Sequence, residues 1–393
     1  MDTFDHGQDV PSAPLHRHQS SLEGIMDFSR EQPLTPELRA QAKHRFYLIV
    51  QHFEDLYKNN SQSYNQPRLI QYTYEYARSE ESQDNFLRAF FQAMALSIDG
   101  EEDLNFGNLS SPFIGFSEHL FNHFFLPLKA SGTKTPQPTP AYHSAIMIAQ
   151  GGVSPGLVGT PDRLSSLRGD CLIRDRHRCV ISRKFDLKEA RARMRGNPNN
   201  AHDDDGNELV ARTDLFALLE VAHIMPHALM KSEEGSKVND VKAATLAILN
   251  MFDCGVVHLL EGPGIDQPSN AISLTQHLHF LFGEFEIFFE PVPNQPHTYR
   301  IESFLEQGFI GDATLPTTRT LYLSENMTID PPSPRLLALH SAIAHILHLS
   351  GAGDYIGKLL HDMNDMDGTS IREDGSTELD QFVRLRLGSS VRT

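Results

Sequence analysis

Leu219-Glu220-Val221-Ala222-His223-Ile224-Met225-Pro226, then Asn270-Ala271-Ile272-Ser273-Leu274-Thr275, then His279 with Phe282 one turn beyond it, decide the fold of this chain. Taken singly, each stretch is unremarkable. A lone histidine among apolar neighbours is usually a satisfied core residue, and an asparagine ahead of a strand usually folds its side chain onto its own backbone in a turn. Thr275 stands where a hydroxyl would cap a helix running through His277-Leu278-His279-Phe280-Leu281-Phe282. Residues two apart on a helix face different directions, so only one of His277 and His279 could meet a shared ligand.

The order of the three stretches carries more than any one of them. A-H-I-x-P, then N-x-I-x-L, then H-x-x-F resembles the pattern of HNH endonucleases, and residues 173–183, IRDRHRCVISR, are similar to a strand-turn segment that opens many of them, particularly HNH-containing proteins of filamentous fungi. The resemblance covers roughly residues 165–305. It implies a central ββα-metal domain; with the helical patterns that the sequence itself shows on either side, an α+β fold is expected in which this domain is flanked by a helical N-terminal region and a C-terminal helix. It implies a metal-dependent endonuclease hydrolysing nucleic-acid phosphodiesters, with DNA as the expected partner and one divalent ion, Mg²⁺, Mn²⁺ or Zn²⁺, as cofactor. His223 becomes the general base, and His279 and Asn270 the residues at the metal, with the asparagine alternatively orienting the backbone of the base.

Two positions depart from the pattern. Many members carry Asp or His immediately before the base, where this chain has Ala222, so that Glu220 or water would have to substitute; Gly283 stands where an Asp is common. A catalytically degenerate module that binds or regulates is therefore the alternative expectation. A structural zinc site formed by His223, His279 and His258 is a third, disfavoured because zinc takes four close ligands.

The chemistry asks for these residue types. Phosphodiester hydrolysis needs a group that deprotonates water and positive charge that neutralises the phosphate. A neutral imidazole has a pKa suited to the first task near pH 7. Positive charge is concentrated between Arg174 and Arg195, with nine Lys or Arg against three acids. Arg174, Arg176, Arg178, Arg183 and Lys184 are accordingly the expected phosphate clamps. A solvated helix face at KEARARMR is the plainer reading of the same charges.

The remainder of the chain sets bounds. A net charge of −17 argues against the whole protein coating a polyphosphate, although a local basic patch can coexist with an acidic remainder. Three cysteines with no Cys-x-x-Cys pair point away from a disulfide framework or a cysteine zinc site. No basic leader followed by an apolar run is present, and no stretch is long and apolar enough for a membrane span, so an intracellular protein without membrane contact is expected.

Residues 1–34 have the Pro- and Ser-rich composition of a disordered leader; Thr35-Pro36-Glu37 announces a helix, and a helical N-terminal domain is expected over 35–130. A Pro/Gly/Thr-rich linker over 131–165, possible order at Ala145 to Ala149, an HNH domain over 166–310, a helical segment over 330–361 and a flexible tail over 362–393 complete the expected organisation. Strands are expected at Arg178–Ile181 and Glu286–Phe289, and a helix in VNDVKAATLAILNMF within the long interval between His223 and Asn270.

Overall fold

The computed structural model describes residues 32–57, 64–100, 104–132, 160–197, 200–209, 215–226, 236–260, 262–311 and 313–365. The expected leader up to residue 31, the Ala145 to Ala149 segment and the tail from 366 lie outside the described residues.

The N-terminal half is helical: α1 (Pro36–Tyr57), α2 (Gln66–Glu75), α3 (Glu80–Ala93), α4 (Phe106–Leu120) and α5 (Leu126–Gly132), the last two joined by a π-helical turn at Phe121–Phe125. Each start has a local cause. The Thr35 hydroxyl accepts from the Leu38 amide ahead of α1, Asn65 accepts from Arg68 at α2 and Ser79 from Ser82 at α3. These helices bury an aromatic core in which Phe46, Phe86, Phe90, Phe113 and Phe116 are each 0% exposed, with Phe46 edge-on to Phe86 and Phe90.

This helical region does not close its own core. A single continuous cluster of buried apolar side chains runs from Leu34 to Leu359 through the central strands. The carbonyl oxygen of Gly283 lies only 2.0 Å from where a Cβ on Gly132 would sit, so the end of α5 docks backbone to backbone on the central unit. Lys129, buried, donates beside it to the Glu284 carbonyl at 3.1 Å.

The central unit begins with α6 (Thr160–Arg174), which starts inside the expected linker. The strand expected at Arg178–Ile181 is a tight knuckle instead: Arg176, His177 and Arg183 all have positive φ, and the contact with the sheet is the Val180 amide donating to the Ser273 carbonyl. Short β1 (Phe185–Asp186) pairs in parallel with β2 (Phe216–Ala217), bracketing α7 (Leu187–Gly196). Then β3 (Leu219–His223) pairs antiparallel with β4 (Ala271–Thr275), and α9 (Gln276–Gly283) follows β4 without a break. The interval between the two strands carries α8 (Ser236–Phe252), as expected from sequence, which closes at Gly255 with φ +80°.

A three-stranded antiparallel sheet of β5 (Ile287–Pro291), β6 (Thr298–Ser303) and β7 (Thr317–Thr320) comes next. Helix α10 (Pro334–Ser350) has Ser333 as its N-cap and Gly351 in the left-handed region at its end, and α11 (Ala352–Asp365) continues four residues into the expected tail. The histidines of α10 are packing residues: His340 is stacked between Phe282 and Phe285, and burial lowers its pKa to about 3. No single described helix is long and apolar enough to cross a membrane.

Candidate functional site

Register fixes which side of the hairpin each residue serves. Paired residues of antiparallel strands share a face and successive residues alternate. Glu220 with Leu274 and Ala222 with Ile272 therefore occupy one face, and Val221 with Ser273 and His223 with Ala271 the other. The packing agrees: Ala222, Ile272 and Leu274 join the large cluster with Leu278, Leu281 and Phe282 of α9. Val221 and Ala271 form a small separate cluster with Leu167 and Cys171 of α6.

His223 is the last residue of β3, and its side chain is 1% exposed. Its Nε2 lies 3.2 Å from Oδ1 of Asp266, which is itself 2% exposed on the 3-10 turn Gly262–Asp266. Against an ionised carboxylate, which only accepts, the tautomer that completes this contact carries its proton on Nε2 and leaves Nδ1, also buried, as the ring's acceptor nitrogen.

Asn270 is fully buried at the foot of β4 and all its polar atoms are engaged. Its Oδ1 accepts from the Met225 amide at 2.9 Å, its Nδ2 donates to the carbonyls of Met225 at 3.0 Å and Ile265 at 2.9 Å, and its own carbonyl accepts from Ile224. Both polar atoms of the Asn270 side chain are thus bonded to backbone groups. Its side chain pins the chain on both sides of the histidine–aspartate pair and offers no exposed donor.

His279 sits one turn into α9, whose first turn Thr275 caps through a bond to the Leu278 amide at 3.4 Å. Its Nδ1 lies 2.7 Å from Oε2 of Glu220, across the helix-facing side of the hairpin. Hydrogen bonding from His279, with a lesser bond from Gln276, holds the Glu220 carboxyl below its usual value against the opposing effect of burial. His277 points elsewhere, to the Phe309 carbonyl at 3.0 Å, as the two-residue offset requires.

The three sequence stretches thus meet at one hairpin–helix corner, with each imidazole backed by its own carboxylate. Among the described residues no group of three or more His, Cys, Asp or Glu is arranged to hold a metal ion. The expected zinc alternative with His258 accordingly has no assembled ligand set. Ala222 and Gly283 supply no donor, Asn270 is spent, and the Glu220 carboxylate accepts from Gln276 and contacts His279 Nδ1, which leaves the His279 ring with Glu220 behind it. One imidazole and the carboxylate behind it suit a hydrated divalent cation that keeps most of its waters and borrows substrate oxygens. They do not make a four-ligand zinc site.

The expected phosphate clamps need the largest correction. Arg174 is 0% exposed: its guanidinium grips Asp175 at 2.8 and 2.9 Å and donates to the carbonyls of Pro268 and Ala271, so it braces the hairpin from within. Arg176 pairs with Asp205 at 2.5 Å, Arg178 with Asp203, and Arg193 with Asp204 at 2.7 Å. Three consecutive aspartates just beyond α7 therefore neutralise much of the charge counted in the sequence. Despite burial, the largest influence and one that acts upward, bonds from His177 and Arg193 take Asp204 down to about 2. Arg183 forms no ion pair among the described residues; it donates to the Thr320 carbonyl and lies 4.3 Å from the Tyr322 ring centre. Lys184 is half-buried.

Sequence reasoning missed Asp266 altogether. Its signal was available in Gly262-Pro263-Gly264-Ile265-Asp266, a turn that ends in an acid four residues before the motif asparagine. Glu220 had been considered only as a substitute for the residue that Ala222 lacks.

Residues 179–290 match the model of a family described as HNH endonuclease. The matched segment takes in β3, β4, α9 and the site they form, and leaves α1–α6, α10 and α11 outside it. Comparison with curated proteins and with solved structures finds no match.

Proposed function

We propose that the corner formed by β3, β4 and α9 hydrolyses nucleic-acid phosphodiesters, with His223 as the general base. The observation that carries this is the His223–Asp266 pair at the end of β3, flanked by the chain that Asn270 pins. A base held in one tautomer by a buried carboxylate is the arrangement that proton abstraction from water calls for. Nδ1 of His223 would take the proton, Asp266 would stabilise the imidazolium, and Asn270 would fix the backbone that aims the ring. Glu220 and His223, three residues apart on β3, leave the strand on opposite faces, so a phosphate served by both His223 and His279 would have to span the edge of the strand.

His279 would hold the divalent cation through the ring nitrogen that faces away from Glu220, and the cation would supply neutralisation of phosphate charge when bound. The carboxylate behind an imidazole is the usual support of a metal-bound histidine, and the 2.7 Å Glu220–His279 contact supports that role.

A second reading, a binding module of the same fold without hydrolysis, is favoured by the methyl group of Ala222 where a ligand is common and by the nearly complete burial of the His223 side chain. Plasmid nicking by the purified full chain with Mg²⁺, Mn²⁺ or Zn²⁺, against an EDTA control, separates the two. Hydrolysis predicts metal-dependent nicking that His223→Ala lowers by about 10²–10⁴-fold and that His279→Ala also lowers. Folded protein that binds nucleic acid and never nicks it would establish the second reading instead.

A further inference from the structure

Once the aspartate-paired arginines are set aside, positive charge that forms no ion pair among the described residues remains at a different place. A cleft of about 520 Å³ opens between the 178–185 knuckle and the loop that leads into β7, lined by Ser182, Gln307, Gly308, Gly311, Thr317 and Arg319 among others. Arg319 is anchored at its rim by bonds to the carbonyls of Ile181 at 2.8 Å and Thr318 at 3.0 Å, and its Nη2 takes no partner among the described residues. Arg183, next to the lining Ser182, has its Nη1 buried without a hydrogen-bond partner. Neither guanidinium forms an ion pair among the described residues. Burial first, and the charge of Arg319 as well, lower the pKa of Arg183 while Tyr322 opposes them. Two neighbouring cations with unspent donors beside a polar cleft are an environment that an anion would relieve.

The surface beside the cleft is apolar and aromatic. Phe309, adjoining the lining Gly308, is 66% exposed, and Phe280 on α9 is 54% exposed. His277 links them: its ring bonds the Phe309 carbonyl, and it precedes Phe280 by three residues on the same helix face. Exposed phenylalanines next to a cationic cleft are the two halves of a single-strand platform, aromatic faces for bases and cations for the backbone. The cleft is tied to the hairpin–helix corner on both sides, by the Val180–Ser273 bond to β4 and by His277 on α9.

We propose that this surface docks single-stranded nucleic acid, with a backbone phosphate between Ser182 and Arg319 and bases stacked on Phe309 and Phe280. The proposal rests on the nucleic-acid reading of the adjoining corner and names the form of strand delivered to it. A duplex keeps its bases stacked on one another and leaves the phenylalanines unused.

The test is fluorescence anisotropy of the full chain with a labelled short oligothymidine, an abasic strand of equal length and a duplex, in EDTA so that metal-dependent cleavage does not intervene. Arg319→Gln keeps a donor for the Ile181 carbonyl and removes the charge; it is expected to weaken both single strands and to lower the salt slope by about 0.7. Phe309→Ala is expected to weaken oligothymidine by roughly fivefold or more and leave the abasic strand unchanged. Asp312 lies outside the described residues between two that flank the cleft, and Asp312→Asn is expected to leave binding unchanged or tighten it. Absence of binding by the wild type, indifference to both Arg319→Gln and Phe309→Ala, equal affinity for the duplex, or loss of binding in Asp312→Asn would each overturn the proposal. Failed nicking with intact oligothymidine binding would sink hydrolysis and leave this surface standing; nicking without strand binding would do the reverse.

Discussion

The aromatic core of α1–α5 and the interior of the β3–β4–α9 corner are both closed to solvent, yet they are filled with opposite materials. In the first, Phe46, Phe86, Phe90, Phe91, Phe113 and Phe116 meet mostly edge to face, and the buried carboxylate of that unit, Asp84, is answered by Arg39. In the second, Arg174, Asp175, Asp186, His223, Asp266, Asn270 and Ser273 are buried within a unit of modest size. Burying phenylalanine is favourable wherever it happens, whereas burying a charge is tolerable only when its partners are placed to receive it. The helical region can therefore exchange one apolar side chain for another. The corner depends on particular atoms.

The largest test of that contrast is Asp175→Ala. Asp175 receives the Arg174 guanidinium on both oxygens and the Ser273 amide on one. Removing it strands a fully buried cation, and a loss of about 3–5 kcal/mol in chemical denaturation is expected. Phe90→Leu in the helical core keeps an apolar side chain in the same space and should cost less than Asp175→Ala. If the two variants lose equal stability, the contrast between the regions fails.

Asn270→Ala is a narrower version of the same test. It leaves the Met225 amide and two carbonyls without their partner in a closed space, at an expected cost of about 1–3 kcal/mol. If His223 is the base, as proposed, and Asn270 acts by orienting the chain around it, nicking should fall through its maximal rate more than through substrate affinity. A variant as stable as wild type with unchanged nicking would remove Asn270 from the positioning role.

These particular atoms also mark where the sequence could be read and where it could not. The caps at Thr35 and Thr275 are local signals, and the helices they open begin where the sequence places them. The hairpin–helix order followed from three short stretches because the resemblance supplied their long-range pairing, which periodicity alone does not contain. The knuckle at Arg178–Ile181 was misread as a strand because its β-branched and cysteine residues suit a strand, while the deciding positive φ at Arg176 and Arg183 has no glycine to announce it. The shared core was equally hidden: nothing local to Gly132 reveals that its missing Cβ admits the backbone at Gly283, more than a hundred residues away. Charge was the hardest case. Counting Lys and Arg between 174 and 195 ignored Asp203, Asp204 and Asp205, which lie only a few residues beyond the counted window.

That last error yields the smallest and most specific prediction. Arg176 is the most exposed of the expected clamps that the structure pairs, with 45% of its side chain accessible, and its charge meets Asp205 at 2.5 Å. An exposed pair of this kind is worth roughly 0–1 kcal/mol, so Arg176→Ala should leave folding stability almost unchanged. It should also leave oligonucleotide affinity within about twofold of wild type and the salt slope unaltered, because the phosphate-facing charge that the variant removes was already answered by a carboxylate. Asp205→Asn sharpens the point: freeing Arg176 should raise affinity modestly and steepen the salt dependence. If Arg176→Ala instead weakens binding as much as Arg319→Gln does, then phosphate displaces Asp205 on contact, and the aspartate run is an exchangeable cover over the clamp that the sequence had suggested.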